Sequence, residues 1–328
     1  MKYDMEIPTS RESVFVPVPF AGPREVTKIV QDAEKLGYHT VWGTDFMTLA
    51  PGVAPVEDPD PPNWYELIVS LSYFAAVTER IVLGTGVVLL PYRDPVILAR
   101  QITTLDHFSN GRVALGIGLG NRAEFEMIQP RMRRVHRGRM MDEKMEALHR
   151  LLGHSERTVS YSGEYVEFRD VEVFPKPVQA PLPIYAPGRN PDALRRIARW
   201  GNGLFTQASA GRSAIEVLEP LLEEQGRSLD EINVVAEGEL SLASTHEKAV
   251  EHYRTSRQGM MRLARGVPLD TIVEQNWIGT VDEVIEKIGG LKEQGFDHVN
   301  ALHIAGDTIP EMMEQVESFA KDVMAKVG

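Results

Sequence analysis

Cysteine is absent from the 328 residues, so neither a disulfide framework nor a thiol nucleophile enters the account. Long apolar runs are missing too. None approaches the ~20 residues that a membrane-spanning helix needs, and MKYDMEIPTSRESVF at the N-terminus holds no apolar stretch of the kind a secretory signal carries. A cytoplasmic location is the expectation. Positive charge is scarce, with Lys+Arg 35 against Asp+Glu 47 and a net charge of −12. A surface of that sign repels phosphate backbones and anionic lipid, which argues against nucleic acid and membrane as partners. Neither an HExxH helix nor a GxSxG elbow occurs, and His298 and His303, an odd number of residues apart on one strand, face opposite ways. No metal site is expected. Internal repeats, linkers and low-complexity tracts are also lacking, so nothing divides the chain.

What is present is alternation. Hydrophobic residues make up 43% and charged residues 25%, the balance of an ordinary globular chain able to build one large core. Apolar runs read as strands at Ser13–Val18, Tyr38–Trp42, Ile81–Leu90, Arg112–Ile117, Leu182–Ala186, Gly203–Thr206, Ile232–Leu242 and His298–Ile304. Between them lie helical stripes such as Val26, Ile29, Val30 and Ala33. Strands separated by crossover helices run parallel. Eight such units close most simply into an α/β fold, a TIM-like (β/α)8 barrel. One domain over residues 1–328 is expected, with insertions at about 122–180 and 244–276, after strands 4 and 7. The outgoing strand ends then share one face. The turns at Asp45-Phe46, Thr85-Gly86-Val87, Gly118–Asn121, Ala186–Asn190, Thr206-Gln207 and His303 converge there.

Several of these turns invite a ligand. Gly84 and Gly86 weaken the third strand unless a kink or a close approach uses them, and their exit position favours a planar ligand. The glycines of Gly116–Gly120 fall as G-x-G-x-G after a fourth strand, whereas a dinucleotide fingerprint is G-x-G-x-x-G at the opening of a fold. A tight packed turn, or backbone access to a planar ligand, remains. Gly188-Arg189-Asn190, followed by Pro191 and a helix, suits a phosphate; a plain Asn cap with Pro at the first helical position explains the same residues. Thr206 and Arg212 would reach the same anion, whereas Arg195, Arg196 and Arg199 read as a solvated helix face. His107, just before a strand, belongs to the opposite, structural end. Met47–Pro62, with five prolines and the acids Glu57, Asp58 and Asp60, reads as a lid or as a passive surface loop.

Taken together, GYHTVWGTD (37–45), TERIVLGTGVV (78–88), the run to ALGIG (118), FPKPVQAPLPIYAPG (174–188) and ALRRIARWGNGLF (193–205) resemble the bacterial-luciferase-like superfamily of flavin-dependent oxidoreductases. The resemblance implies a barrel, usually homodimeric, that holds FMN or the deazaflavin coenzyme F420. The ring would lie against Thr85, Gly86 and Val87, bordered by Gly118 and Asn121, with the phosphate on Gly188, Arg189 and Asn190. The leading reading is a monooxygenase using reduced FMN and O2 on a small organic substrate, with a separate flavin reductase as partner. Deazaflavin-dependent hydride transfer is the alternative, and a flavin-binding protein without turnover is the reading of another class. Many members carry His directly after the acidic residue that closes the second strand; here Asp45 is followed by Phe46. A phenyl ring moves no proton, so Asp45 and Phe46 stand as pocket candidates without a catalytic assignment.

Overall fold

The computed structural model describes residues 1–54, 58–188 and 190–327. Glu57 of the acidic loop and Arg189 of the expected phosphate site lie outside the described residues. Eight strands form the barrel: β1 (Lys2–Ile7), β2 (Thr40–Gly43), β3 (Val82–Thr85), β4 (Val113–Gly118), β5 (Ile184–Pro187), β6 (Gly203–Gln207), β7 (Asn233–Leu242) and β8 (His298–Ile304). Each pairs in parallel with the next, and β8 returns to β1 with Met5 opposite Ala301. The sheet is therefore closed.

The first strand is Lys2–Ile7 and not Ser13–Val18. KYDMEI hides its strand character because Asp4 and Glu6 alternate with Tyr3, Met5 and Ile7, so that no apolar run marks it. In a barrel both faces are buried, and period-2 alternation sends the apolar set outward to the helices. Tyr3, Met5 and Ile7 join the main core between strands and helices. Residues 13–18 instead form a turn in which Glu12 bridges Val16 and Ser13 adopts a positive φ of 69°.

The interior of the barrel is plugged by a second, smaller core of Trp42, Ala114, Tyr185, Phe205 and Val235. Trp42 meets Phe205 edge-on with centroids 4.9 Å apart. Gly84 serves this plug: a Cβ there would lie 2.1 Å from Trp42 Cε3. The expectation that Gly84 opens the strand to a ligand is thus corrected, since the space belongs to the indole.

Two segments leave the strand–helix alternation, after β4 and after β7. The first holds helices Arg122–Ile128 and Arg137–Leu152 and an antiparallel hairpin, Val159–Ser162 with Glu167–Val171. The second holds helices His246–Thr255, Arg257–Ala264 and Leu269–Gln275, and a short strand Trp277–Gly279 that pairs with the end of β7. Among the described residues no helix is long and apolar enough to cross a membrane.

At the incoming end of the barrel, Asp4 Oδ2 accepts from His298 Nδ1 at 2.8 Å and from Trp42 Nε1 at 3.3 Å, with His39 Nδ1 3.7 Å from Oδ1. Asp4, His39 and His298 offer ligand-type atoms within 4.8 Å of one another, a gathering that spacing along a single strand does not reveal. Burial acts to raise the Asp4 carboxyl, but hydrogen bonds and charge from His298 and His39 prevail and hold it at about 2. A depressed folded value stabilises the protein above the ordinary carboxyl range, and that contribution is lost as pH falls through about 2. Asp4→Asn is expected to cost about 2 kcal/mol near neutral pH and to flatten the fall in stability between about pH 4 and 2, as urea midpoints would record.

Candidate active site

At the outgoing ends of the strands, a cavity of about 380 Å³ and a second of about 310 Å³ share a wall made by Glu6, Gly86, Val87, Leu89 and Gly120. The first lies directly over the aromatic plug, with Trp42 and Phe205 in its lining and Ile117, Gly118 and Leu302 around them. Gly86 and Val87 interrupt the strand after β3, joined by a cis peptide bond. A Cβ on Gly118 would come within 2.3 Å of Val87 Cγ2, so the glycine lets this turn sit close against the end of β4. Asn300 on β8 also lines the cavity, and its buried Oδ1 has no hydrogen-bond partner among the described residues. A mostly apolar lining, with Glu6 and Glu237 beside the unsatisfied Asn300 acceptor, fits a flat ring that carries an N–H.

One end of this cavity is built for an anion. Asn190 caps the helix Pro191–Trp200, its Oδ1 accepting from Ala193 N at 3.0 Å, and Asn190, Ala193 and Arg196 all face the cavity. Arg196 is buried; its Nε donates to Asp142 Oδ1 at 2.6 Å and its Nη2 to the Gly138 carbonyl at 3.3 Å. This corrects the solvated face expected for Arg195, Arg196 and Arg199. Arg195 is indeed exposed and paired with Asp192, but Arg196 turns inward. A helix N-terminus and a held guanidinium together favour a phosphate. Arg196→Ala is expected to weaken a phosphorylated ring cofactor at least about tenfold while changing the affinity for its dephosphorylated riboside little, a contrast that fluorescence titration measures directly.

Other expected contacts fall elsewhere. The Gly188 N–H is already given to the Phe205 carbonyl at 3.1 Å, and a Cβ on it would meet Leu204 Cδ1 at 2.2 Å. Gly188 therefore packs the turn and supplies no donor. Thr85 Oγ1 donates to the Gly116 carbonyl at 2.7 Å, tying β3 to β4, and Thr206 Oγ1 donates to Gln207 O at 3.4 Å. Neither threonine, nor Arg212, belongs to the cavity wall.

The second cavity is bordered by Phe15, Asp45, Phe46, Asn121, Glu124 and His303, among others. Asp45 is a clamp: its carboxylate accepts from Leu89 N at 2.9 Å and from Arg93 Nη2 at 2.9 and 3.0 Å, fixing the chain that follows the Gly86–Val87 turn. Burial raises its pKa against the pull of Arg93. Phe46 packs on Trp64 with centroids 5.2 Å apart. Asn121 caps the next helix through Ala123 N at 2.8 Å.

Facing Phe46 across this cavity is His303, whose turn the sequence placed at the converging face, together with Glu6 and Arg11, to which it gave no role. Arg11 pairs with the Glu6 carboxylate, donates to the Leu302 carbonyl at 2.9 Å and donates to His303 Nδ1. The His303 ring stacks on Phe15 at 4.4 Å, and Arg11 lies over the same phenyl ring at 4.7 Å. Burial pushes the His303 imidazole down to about 3, so the ring is neutral at physiological pH. A guanidinium only donates, which makes Nδ1 the acceptor and puts the hydrogen of the neutral ring on Nε2. Nε2–H has no partner among the described residues. Burial also lowers Arg11, to about 9, with Glu239 acting the other way; it remains charged. The signal available in the sequence was the position of His303 at a strand exit, but Glu6 and Arg11 precede the first strand expected there and were assigned to no element.

The luciferase-like monooxygenase family model matches residues 7–298. The F420-dependent glucose-6-phosphate dehydrogenase of Amycolatopsis mediterranei is 26% identical over 337 residues, covering 93% of this chain and 95% of that protein. The coenzyme F420-dependent tetrahydromethanopterin reductase of Methanopyrus kandleri superimposes with a TM-score of 0.76 at 22% identity, covering 100% of this chain and 99% of the other. The monooxygenase RslO1 of Streptomyces bottropensis gives 0.79 at 20% identity, with full coverage of both chains.

Proposed function

The chain belongs to the luciferase-like monooxygenase family, and from that premise we propose that it is an oxidoreductase which binds a deazaflavin of the F420 class and exchanges a hydride with a small organic alcohol or carbonyl compound. The likeness to an F420-dependent dehydrogenase along more than nine-tenths of both chains supports the deazaflavin, which moves the weight away from the reduced-FMN and O2 reading expected first. The family description and the RslO1 fold speak for monooxygenase chemistry only at the level of architecture.

The residues present fit such a cofactor. Gly86, Val87 and Gly118 would border its ring, Asn300 Oδ1 would accept from a ring N–H, and Asn190 with Arg196 would hold its phosphate. When bound, the deazaflavin supplies a carbon centre that gives or takes a hydride. The protein's part is to place the substrate oxygen and stabilise the charge that develops on it. The single observation that carries the reaction type is His303: a partly buried, neutral imidazole, its Nδ1 fixed by Arg11, offering Nε2–H at the cavity beside the ring site. Such a donor stabilises negative charge developing on a carbonyl oxygen as hydride reaches the carbon, after which the alkoxide takes its proton from solvent; in the reverse direction the alcohol, oriented by the same N–H, gives its proton to solvent, because a ring whose free nitrogen already carries hydrogen accepts none. Phe15 and Phe46 border that point with apolar rings.

Anaerobic mixing of the purified protein with oxidised deazaflavin and a panel of secondary alcohols tests the proposal. Bleaching of the deazaflavin with formation of the ketone is the expected result. Turnover only with reduced FMN and O2 would return the monooxygenase reading.

A further inference from the structure

Beside the ring cavity lies a larger one, of about 740 Å³, whose wall includes Arg131, Arg133, Arg134 and Arg137. The proposed function uses none of these residues. Leu119 lines both cavities. The two are tied at a second point: Arg137 Nη1 donates to the carbonyls of Leu119 (3.3 Å) and Gly120 (3.1 Å), while the neighbouring Gly138 carbonyl receives Arg196 from the anion end. The larger cavity therefore continues from the place where a phosphate would sit.

Its charge is out of character for the chain. The protein carries a net −12, yet residues 122–139 hold six arginines, no lysine, and only Glu124 and Glu126 as acids. Arg122 is paired with Glu126 at 2.8 Å and Arg139 with Glu164 at 3.2 Å. Arg131, Arg133 and Arg134 are exposed and have no side-chain partner among the described residues. Like charges gathered in one concavity repel one another, so folding alone gains nothing from them. A ligand of opposite sign does. The choice of arginine over lysine favours planar, two-toothed acceptors, that is, carboxylates or phosphates. A single phosphate would occupy a small part of about 740 Å³ and face one of these side chains; several guanidiniums in series suit an extended chain of anionic groups.

We propose that this arginine-lined cavity binds the polycarboxylate tail of the cofactor. The inference rests on the deazaflavin reading above: FMN ends at its phosphate and has nothing to place here, whereas the deazaflavin coenzyme continues beyond its phosphate through a lactyl group into a chain of glutamates. The cavity would then select both cofactor type and tail length.

Equilibrium titration of the full-length protein, followed by deazaflavin fluorescence anisotropy, separates the contributions. Three ligands share the ring: the riboside, its phospholactyl form, and the form bearing several glutamates. At low salt the glutamylated form is expected to bind at least about tenfold more tightly than the phospholactyl form, the worth of one good charge-assisted pair. That gain should disappear in about 0.5 M salt, where exposed charges are screened, and in the Arg133→Ala/Arg134→Ala double variant. The affinity of the variant for the phospholactyl form should be unchanged. Equal affinity of the two forms for the wild-type protein overturns the inference and leaves the deazaflavin reading standing. Failure of all three to bind overturns both. A tail preference that persists in the double variant assigns the tail to another surface.

Discussion

His303→Phe is expected to lower the maximal rate of hydride transfer by about 10²–10³-fold, the usual cost of removing one donor aimed at a developing oxyanion, and to leave the dissociation constant of the cofactor unchanged. Phenylalanine keeps the stack on Phe15 and the apolar volume, and it removes only the ring nitrogens. Arg11 retains the Glu6 carboxylate and the Leu302 carbonyl, so no charge is orphaned. The pH profile gives an independent reading. Because burial holds the imidazole of His303 down at about 3, the ring is already neutral throughout the neutral range, and the wild-type rate should show no limb near the ordinary histidine value of about 6.5. A rate loss under about fivefold, or a limb near 6.5 that vanishes in the variant, would remove His303 from the role given to it.

The second large effect concerns stability. Arg11 and Glu6 are both buried, and the guanidinium is the cation that partners that carboxylate. Arg11→Met keeps much of the apolar stem and strands a carboxylate in the barrel mouth, for which a loss of about 3–5 kcal/mol is expected. Arg11→Met combined with Glu6→Gln removes both charges and should recover most of that loss, because replacing a whole buried pair costs far less than breaking it. Denaturant unfolding of the two single variants and the double variant measures the coupling. Additive losses would mean that the pair does not act as a unit.

The barrel was legible in the sequence because crossover helices leave strong 3.6-residue stripes and because seven of the eight strands are runs of β-branched and aliphatic residues buried on both sides. The eighth was missed for a specific reason. KYDMEI sends its acids into the barrel and its apolar residues outward, so its pattern reads as polar when no partner strand is in view. The same omission hid the site: Glu6 and Arg11 lay ahead of the first expected strand, and His303 had no visible partner. Glycines misled in a related way. Gly84 and Gly188 are small because Trp42 and Leu204 occupy the space beside them, which no local pattern records. By contrast, Gly86, Val87, Gly118, Asn121 and Asn190 do border the two cavities, since turn glycines at strand exits and caps at helix starts are local signals. Arg196 could have been found from its place one residue before Ile197 on the buried side of an amphipathic helix, but flanking arginines disguised it.

Cofactor choice is the centre of the account, and a competitive titration tests it most directly. The purified protein is titrated with the deazaflavin coenzyme and with FMN under the same low-salt conditions, and binding is followed by the change in absorption and fluorescence of each ring. The deazaflavin is expected to bind at least about tenfold more tightly than FMN, a difference of about 1.4 kcal/mol. Tighter binding of FMN, with no measurable binding of the deazaflavin, would contradict it.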